Sequence, residues 1–220
     1  VQGIALQHSG PISMTPPGTP RGMASQPQQP QPQAPKQAGG ITTSALPAPA
    51  APAPLAPAGT AVELPPALIG PLSLRLAAQK GDPEAQFEVA ARFAEGKGVK
   101  QDFRQALTWY ERSAQSGFIP SQYRLGTLFE RGASGKPDVA TARQWYERAA
   151  NQGNVKAMHN LAVLAASAQN GQTPDYATAA QWFAAAAERG LADSQFNLGV
   201  LHKNGLGVER DNAAAYKWYA

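Results

Sequence analysis

From residue 83 onward the chain alternates short amphipathic stretches with breaks marked by glycine or aspartate, and within each stretch the apolar positions return at helical spacing. Ala85, Val89, Ala90 and Phe93 share one helical face, which ends at Gly96-Lys97-Gly98-Val99, where two glycines can take positive φ. Ala106, Trp109, Tyr110, Ser113 and Ala114 form the next face, between Asp102 and Gly117. The pattern predicts a pair of helices. The first opens on Asp82 as N-cap with Pro83 at the first helical position, where its missing N–H costs nothing. The second is capped by Asp102, with Gln105 in capping-box register, and stops at Gly117. Val99 is expected to drop back onto the core between them.

This unit repeats. Trp109, Trp145, Trp182 and Trp218 are spaced 36, 37 and 36 residues apart, each followed by Tyr or Phe. Asp102, Asp138, Asp175 and Asp211 keep the same step, as do Gly81, Gly117, Gly153 and Gly190 with the extra residue placed one unit later. A period of this length means stacked supersecondary units, each burying its face against the next. The expected architecture is an all-α, α/α superhelical solenoid. A lone cap helix over 71–80 should precede repeats at about 81–116, 117–152, 153–189 and 190–220, the last truncated. Small residues at Ala90, Gly126, Ala162 and Gly199 should let paired helices approach closely.

Residues 1–66 differ in kind. They hold 15 of the 20 prolines, no Trp, Phe or Tyr, and three formal charges, Arg21, Lys36 and Glu63. Such a stretch cannot bury enough apolar area to offset the entropy of ordering it. The composition predicts a disordered Pro/Gln/Ala-rich linker with a reach on the order of 45 Å as a flexible coil, or a tract read by a proline-binding partner. The repeat region, 67–220, carries a net charge of only about +3 with no Lys/Arg cluster, which argues against nucleic acid as a partner. No run of apolar residues is long enough to span a membrane. Cysteine is absent, which excludes a disulfide-stapled design. Val1 in place of a start methionine, and an end at Ala220 just past Trp218, lead us to expect a fragment of a longer protein.

The pattern Gly-Asp-x-x-Ala-Gln, Leu/Val-Gly/Ala, Gly-x-Gly-Val-x-x-Asp and Ala-x-x-Trp-Tyr-x-x-(Ala/Ser)-Ala-x-x-Gly resembles the Sel1-like repeat, a relative of the tetratricopeptide repeat. The resemblance covers about 79–220 and departs at Gly132–Gly135 and Ala168–Pro174, where the Gly-x-Gly-Val turn is lost. It implies a right-handed superhelix that holds other proteins together and has no chemistry of its own. Leu64-Pro65-Pro66, Leu74-Arg75-Leu76-Ala77-Ala78, Tyr123-Arg124-Leu125-Gly126 and Lys156 to Leu164 are further similar to the periplasmic part of the PodJ family of alphaproteobacterial polar localization factors. That similarity implies a periplasmic segment of an inner-membrane scaffold, anchored by an upstream span and associated with peptidoglycan or cell-wall enzymes.

Candidate chemistry is sparse. His159 stands in the column of Phe87, Tyr123 and Phe196, and His202 in that of Phe93 and Phe129, so packing is their expected role. His8 lies in the linker. No HExxH, Cys pair or Gly-Lys-Ser/Thr loop is present, so no metal, no cofactor and no catalytic residue is assigned. The capping aspartates recur once per repeat and form no acid–base pair.

One surface can carry function. In tetratricopeptide-like solenoids the first helix of each repeat lines the concave side, and positions opposite its core face should point into the groove. The partner-binding candidates are Glu84, Glu88 and Glu95; Arg124, Thr127 and Arg131; Lys156 and Asn160; and Asp193, Asn197 and Asn204. These positions vary between repeats while the core columns do not. The sequence therefore reads as a non-catalytic protein–protein interaction scaffold, periplasmic and tied to cell polarity. The alternatives are a soluble regulatory adaptor, secreted or cytoplasmic, or a module that binds cell-wall glycan.

Overall fold

The computed structural model describes residues 62–133, 135–167 and 173–220. Most of the expected linker, with its proline-rich segments and His8, lies outside the described residues, as do Ser134 and residues 168–172 in the two irregular loops. Among the described residues there are nine α-helices and no strands. A single turn of 3₁₀ helix at Ala67–Ile69 precedes α1 (Leu72–Gln79). Four pairs follow: α2 (Pro83–Glu95) with α3 (Phe103–Gln115), α4 (Ile119–Glu130) with α5 (Val139–Asn151), α6 (Val155–Ala166) with α7 (Tyr176–Ala187), and α8 (Ala192–Asn204) with α9 (Asn212–Tyr219). Helices pack chiefly on their chain neighbours, most extensively within each pair. That is the contact pattern of a solenoid.

The recurring aspartate performs two jobs in every repeat. Its carboxylate caps the second helix: Asp102 accepts from Arg104 and Gln105, Asp138 from Thr141, Asp175 from Thr178, and Asp211 from Ala213 and Ala214. Its own N–H donates back to the first helix of the pair, to the carbonyls of Phe93, Phe129, Ala165 and His202, at 2.8–3.0 Å. The Asp102 N–H is thereby already paired. The capping-box partner expected at Gln105 is not used, because Gln105 is exposed and the donor it would satisfy serves the paired helix instead.

The Gly-x-Gly-Val turn has a packing reason. Gly96 and Gly205 cap their helices in the left-handed region, at φ 72° and 68°. A Cβ on Gly98 would stand 2.5 Å from the Leu68 carbonyl oxygen, and one on Gly207 would strike the backbone of Tyr176 and Ala177. The second glycine thus seats each turn against the preceding layer, while Val99 and Val208 pack half-buried on the core.

The core is a double column of rings. Tyr110, Tyr146 and Phe183 are fully buried, with Trp109, Trp145 and Trp182 almost so. Each first-helix aromatic meets the ring after the tryptophan of its own repeat: Phe87 on Tyr110 at 5.4 Å, Tyr123 on Tyr146 at 5.9 Å, His159 on Phe183 at 5.5 Å and Phe196 on Tyr219 at 5.6 Å. Arg112 and Arg148 stack over Trp109 and Trp145 at 4.7 and 4.5 Å.

A glutamine ties one layer to the next. Gln86, Gln122 and Gln195 reach back with Nε2 to the carbonyls of Ala78, Ala114 and Ala187, at 3.1–3.2 Å. Each of these carbonyls also accepts the N–H of the closing glycine, so both lone pairs are used. In the third repeat the position is Met158, 3% exposed, and apolar filling replaces the bond.

Packing on the repeat domain extends upstream of residue 67, the boundary that the composition implies. Gln79 Nε2 donates to the Val62 carbonyl at 3.0 Å, Arg75 Nε donates to the Pro65 carbonyl at 2.6 Å, and Pro65 is fully buried. Residues 62–66 pack on α1 because the carbonyls of Val62 and Pro65 find donors on the cap helix, and Pro65 and Pro66 have no N–H to satisfy.

Candidate partner-binding groove

The helices α2, α4, α6 and α8 present the candidate residues along one run of the solenoid. Side chains there reach between successive layers: His159 Nδ1 lies 2.8 Å from Ser194 Oγ, and the Asn160 side chain lies close to the Tyr123 and Tyr146 hydroxyls. A depression of about 540 Å³ opens between α2, α4 and α6, lined by Phe87, Pro120, Tyr123, Arg124 and the segment Gly153–Lys156.

The candidates divide by accessibility. Glu84, Glu95, Arg131, Lys156, Asp193 and Asn204 are exposed. Glu88 is half-buried and committed to Arg92, with Nε to Oε1 at 2.7 Å, while Arg92 Nη1 holds the Ile69 carbonyl at 2.8 Å. Thr127 is half-buried, its hydroxyl donating to the Arg124 carbonyl at 2.7 Å. Arg124 and Asn160 are half-buried. Asn197 departs from expectation: it is 2% exposed and offers no surface to a partner. The column of Glu88, Arg124, Asn160 and Asn197 runs along the edge of the core, from which long side chains reach solvent and a short amide sinks.

The structure gives polar roles to residues whose sequence columns imply packing alone. Tyr146 donates to Glu130 Oε2 at 2.6 Å. Burial holds the Tyr110, Tyr123 and Tyr146 hydroxyls above the usual phenol range, Tyr146 most strongly, with the Glu130 carboxylate adding to its shift. At Tyr110 the Arg124 guanidinium opposes the rise, and Glu95 and Glu88 reinforce it. These phenols stay neutral hydrogen-bonding groups. The sequence shows the columns that hold Tyr123 and Tyr146, but not the polar use of their hydroxyls.

His159 is pressed below the ordinary imidazole range by burial, with Asp193 opposing. His202 has a buried Nδ1 without a hydrogen-bond partner. No group of three or more His, Cys, Asp or Glu side chains among the described residues could hold a metal ion. No helix among them is long and apolar enough to cross a membrane.

Fold and surface together define an all-α repeat protein whose layers share a core and differ along one face. The model of the Sel1 repeat family matches residues 83–118, 119–154, 155–191 and 192–220, and the chain belongs to that family. Its units start on the first residue of α2, α4, α6 and α8. Among solved structures, the chain is similar to c5321, a protective antigen of uropathogenic Escherichia coli strains displaying an SLR fold, at 35% identity and a TM-score of 0.63, covering 67% of this chain and 31% of that one. It is also similar to a Sel1 repeat protein from Oxalobacter formigenes, at 34% identity and a TM-score of 0.57, covering 67% of this chain and 42% of that one. The chain thus spans less than half the length of either neighbour. No curated protein matches it. Sel1 repeat proteins generally mediate protein–protein interaction.

Proposed function

We propose that the chain is a non-catalytic scaffold that holds a protein partner along α2, α4, α6 and α8. The observation that carries this reading is the contrast between columns. The ring pairs, the capping aspartates and the interlayer glutamines repeat almost unchanged, whereas the accessible residues of the same helices run from Glu84 and Glu95 through Arg131 and Lys156 to Asp193 and Asn204. A face free of packing duty and variable in charge is one that can encode a partner.

The test is photo-crosslinking in cells from single sites on this face, Glu84, Lys156 and Asp193, against control sites on the second helices, Arg104, Gln144 and Gln181, all exposed. A defined protein adduct from the first set alone supports the scaffold. Equal adducts from both sets, or from the control set only, would refute the assignment of the face.

The finer reading is a periplasmic segment of a bacterial cell-polarity factor, held near the inner membrane and working among peptidoglycan or cell-wall enzymes. Its support is the similarity of Tyr123-Arg124-Leu125-Gly126 and of Lys156 to Leu164 to the PodJ family. A fluorescent fusion of the whole reading frame, compatible with export, should form foci at one pole; a uniform cytoplasmic signal would contradict both compartment and role.

A further inference from the structure

The depression between α2, α4 and α6 carries two cations, Arg124 and Lys156, in its lining. Among the described residues the one ion pair is Arg92 with Glu88, so neither Arg124 nor Lys156, both on the rim, has a carboxylate in contact. Of the acidic groups that share these surroundings, Glu88 is engaged by Arg92 and Glu130 by the Tyr146 hydroxyl at 2.6 Å, while Glu95, exposed at the end of α2, acts with Glu88 on the Tyr110 hydroxyl. Asn154, also on the rim, spends its Oδ1 on the Ala157 N–H at 2.9 Å.

The floor is stiff and aromatic. Phe87 is fixed edge-on against Tyr110 at 5.4 Å and against Phe118 at 5.7 Å, and Tyr123 leans on Tyr146 at 5.9 Å. Beneath Arg124 lies the Tyr110 hydroxyl, on a fully buried side chain and without a hydrogen-bond partner. The Arg124 guanidinium is close enough to counter the effect of burial on that phenol, yet not aligned to bond it. Two cations, one exposed and one half-buried, thus face an open volume over two pre-positioned rings. A guanidinium favours a planar carboxylate through paired hydrogen bonds, and a rigid aromatic floor loses little entropy when covered.

We propose that this depression docks an acidic peptide segment of the partner protein, with an Asp or Glu side chain seated between Arg124 and Lys156 and a neighbouring apolar side chain on the rings of Phe87 and Tyr123. This rests on the reading of the face as the partner-binding surface and adds the partner's chemistry. Charge complementarity selects the occupant: a basic segment would meet two cations that have no carboxylate in contact.

The test is selection of random displayed peptides on the intact 220-residue chain. Selected peptides are then titrated, with their footprint mapped by amide chemical shifts. The inference expects enrichment of Asp and Glu beside an apolar residue, shifts centred on Tyr123, Arg124 and Lys156, and affinity that weakens with salt. Lys156→Glu, an exposed change that leaves the fold intact, should weaken binding by about tenfold, and Arg124→Gln by about as much. Selected peptides that lack acidic residues but still map to α2, α4 and α6 would overturn the acidic assignment and leave the partner-binding face standing. Peptides that map to the second helices would overturn both.

Discussion

The ring of Tyr146 closes directly over Gly126. A methyl group on that glycine would stand 2.5 Å from Tyr146 Cδ1 and 3.0 Å from Cγ, and Tyr146 is fully buried with its hydroxyl fixed on Glu130. Gly199 and Tyr219 repeat the arrangement, with a Cβ-to-Cε1 distance of 2.5 Å, but Tyr219 is 42% exposed. The two glycines predict opposite outcomes. Gly126→Ala forces a locked ring to shift, a cost of about 1–3 kcal/mol that outweighs the roughly 1 kcal/mol gained in helix propensity. Gly199→Ala meets a ring that can swing outward, so the propensity gain prevails and Tm holds or rises. Thermal unfolding of the two variants compares them; equal losses would show that the contact at Gly126 is not confining.

The same edge effect governs the tryptophans. Trp145 is 4% exposed and sandwiched with Arg148 at 4.5 Å, whereas Trp218 is only half-buried on α9. Trp145→Ala is expected to cost about 3–5 kcal/mol, and Trp218→Ala distinctly less. Denaturant titration gives both numbers, and comparable small losses would contradict the layered packing.

How much of this was legible in the sequence follows from what each feature depends on. The helix pairs were legible because their signals are local: Asp82 before Pro83, Gly96 and Gly205 after the last turn, and a tryptophan once per repeat. The interlayer glutamines were not, since Gln86, Gln122 and Gln195 act on carbonyls eight residues upstream that only the stacking brings into reach. In the groove, Glu84, Arg131 and Lys156 lie open as expected, while Asn197 is buried. Helical periodicity places that column at the core margin and cannot say which side of the margin a short side chain takes. Val62 to Pro66 joined the domain because Arg75 and Gln79 supply donors, a tertiary fact that proline content alone hides.

The glutamine column yields a test of its own. Gln122 gives Nε2 to the Ala114 carbonyl at 3.2 Å and accepts at Oε1 from Gln152 at 2.7 Å. Gln122→Met keeps the volume but removes both bonds, and is expected to cost about 1–3 kcal/mol. Met158→Gln in the third repeat offers a donor to the Ala150 carbonyl, which accepts the Gly153 N–H at 2.8 Å just as its counterparts accept their glycines. That change should stay within about 1 kcal/mol of the parent. Paired urea titrations measure the contrast, and a neutral Gln122→Met would remove the glutamine from the forces joining the layers.

His159 makes the stack sensitive to mild acid. It fills an aromatic position, edge-on to Phe183 at 5.5 Å, with Nδ1 2.8 Å from the Oγ of the fully buried Ser194. Burial is the larger influence and lowers its pKa, and the carboxylate of Asp193 opposes without reversing the direction. The folded chain therefore holds the imidazole neutral at a pH where the unfolded chain already protonates it. In that window the unfolded state binds more protons, so stability rises with pH. The contribution is complete above the ordinary imidazole pKa of about 6.5 and is lost as pH falls through the lower folded value. The capping carboxylates Asp138, Asp175 and Asp211, whose pKa values hydrogen bonds from their helix N-termini lower, lose their contribution only at more acidic pH. His159→Phe installs the ring found at Phe87 and Phe196 and deletes the titration. Its absolute stability is expected to fall because Ser194 Oγ loses its partner, so the informative quantity is the slope. Unfolding free energy measured from neutral to mildly acidic pH should decline in the parent and flatten in His159→Phe. Parallel curves would mean that the imidazole titrates alike in both states, and that its burial in the α6–α8 layer does not govern its charge.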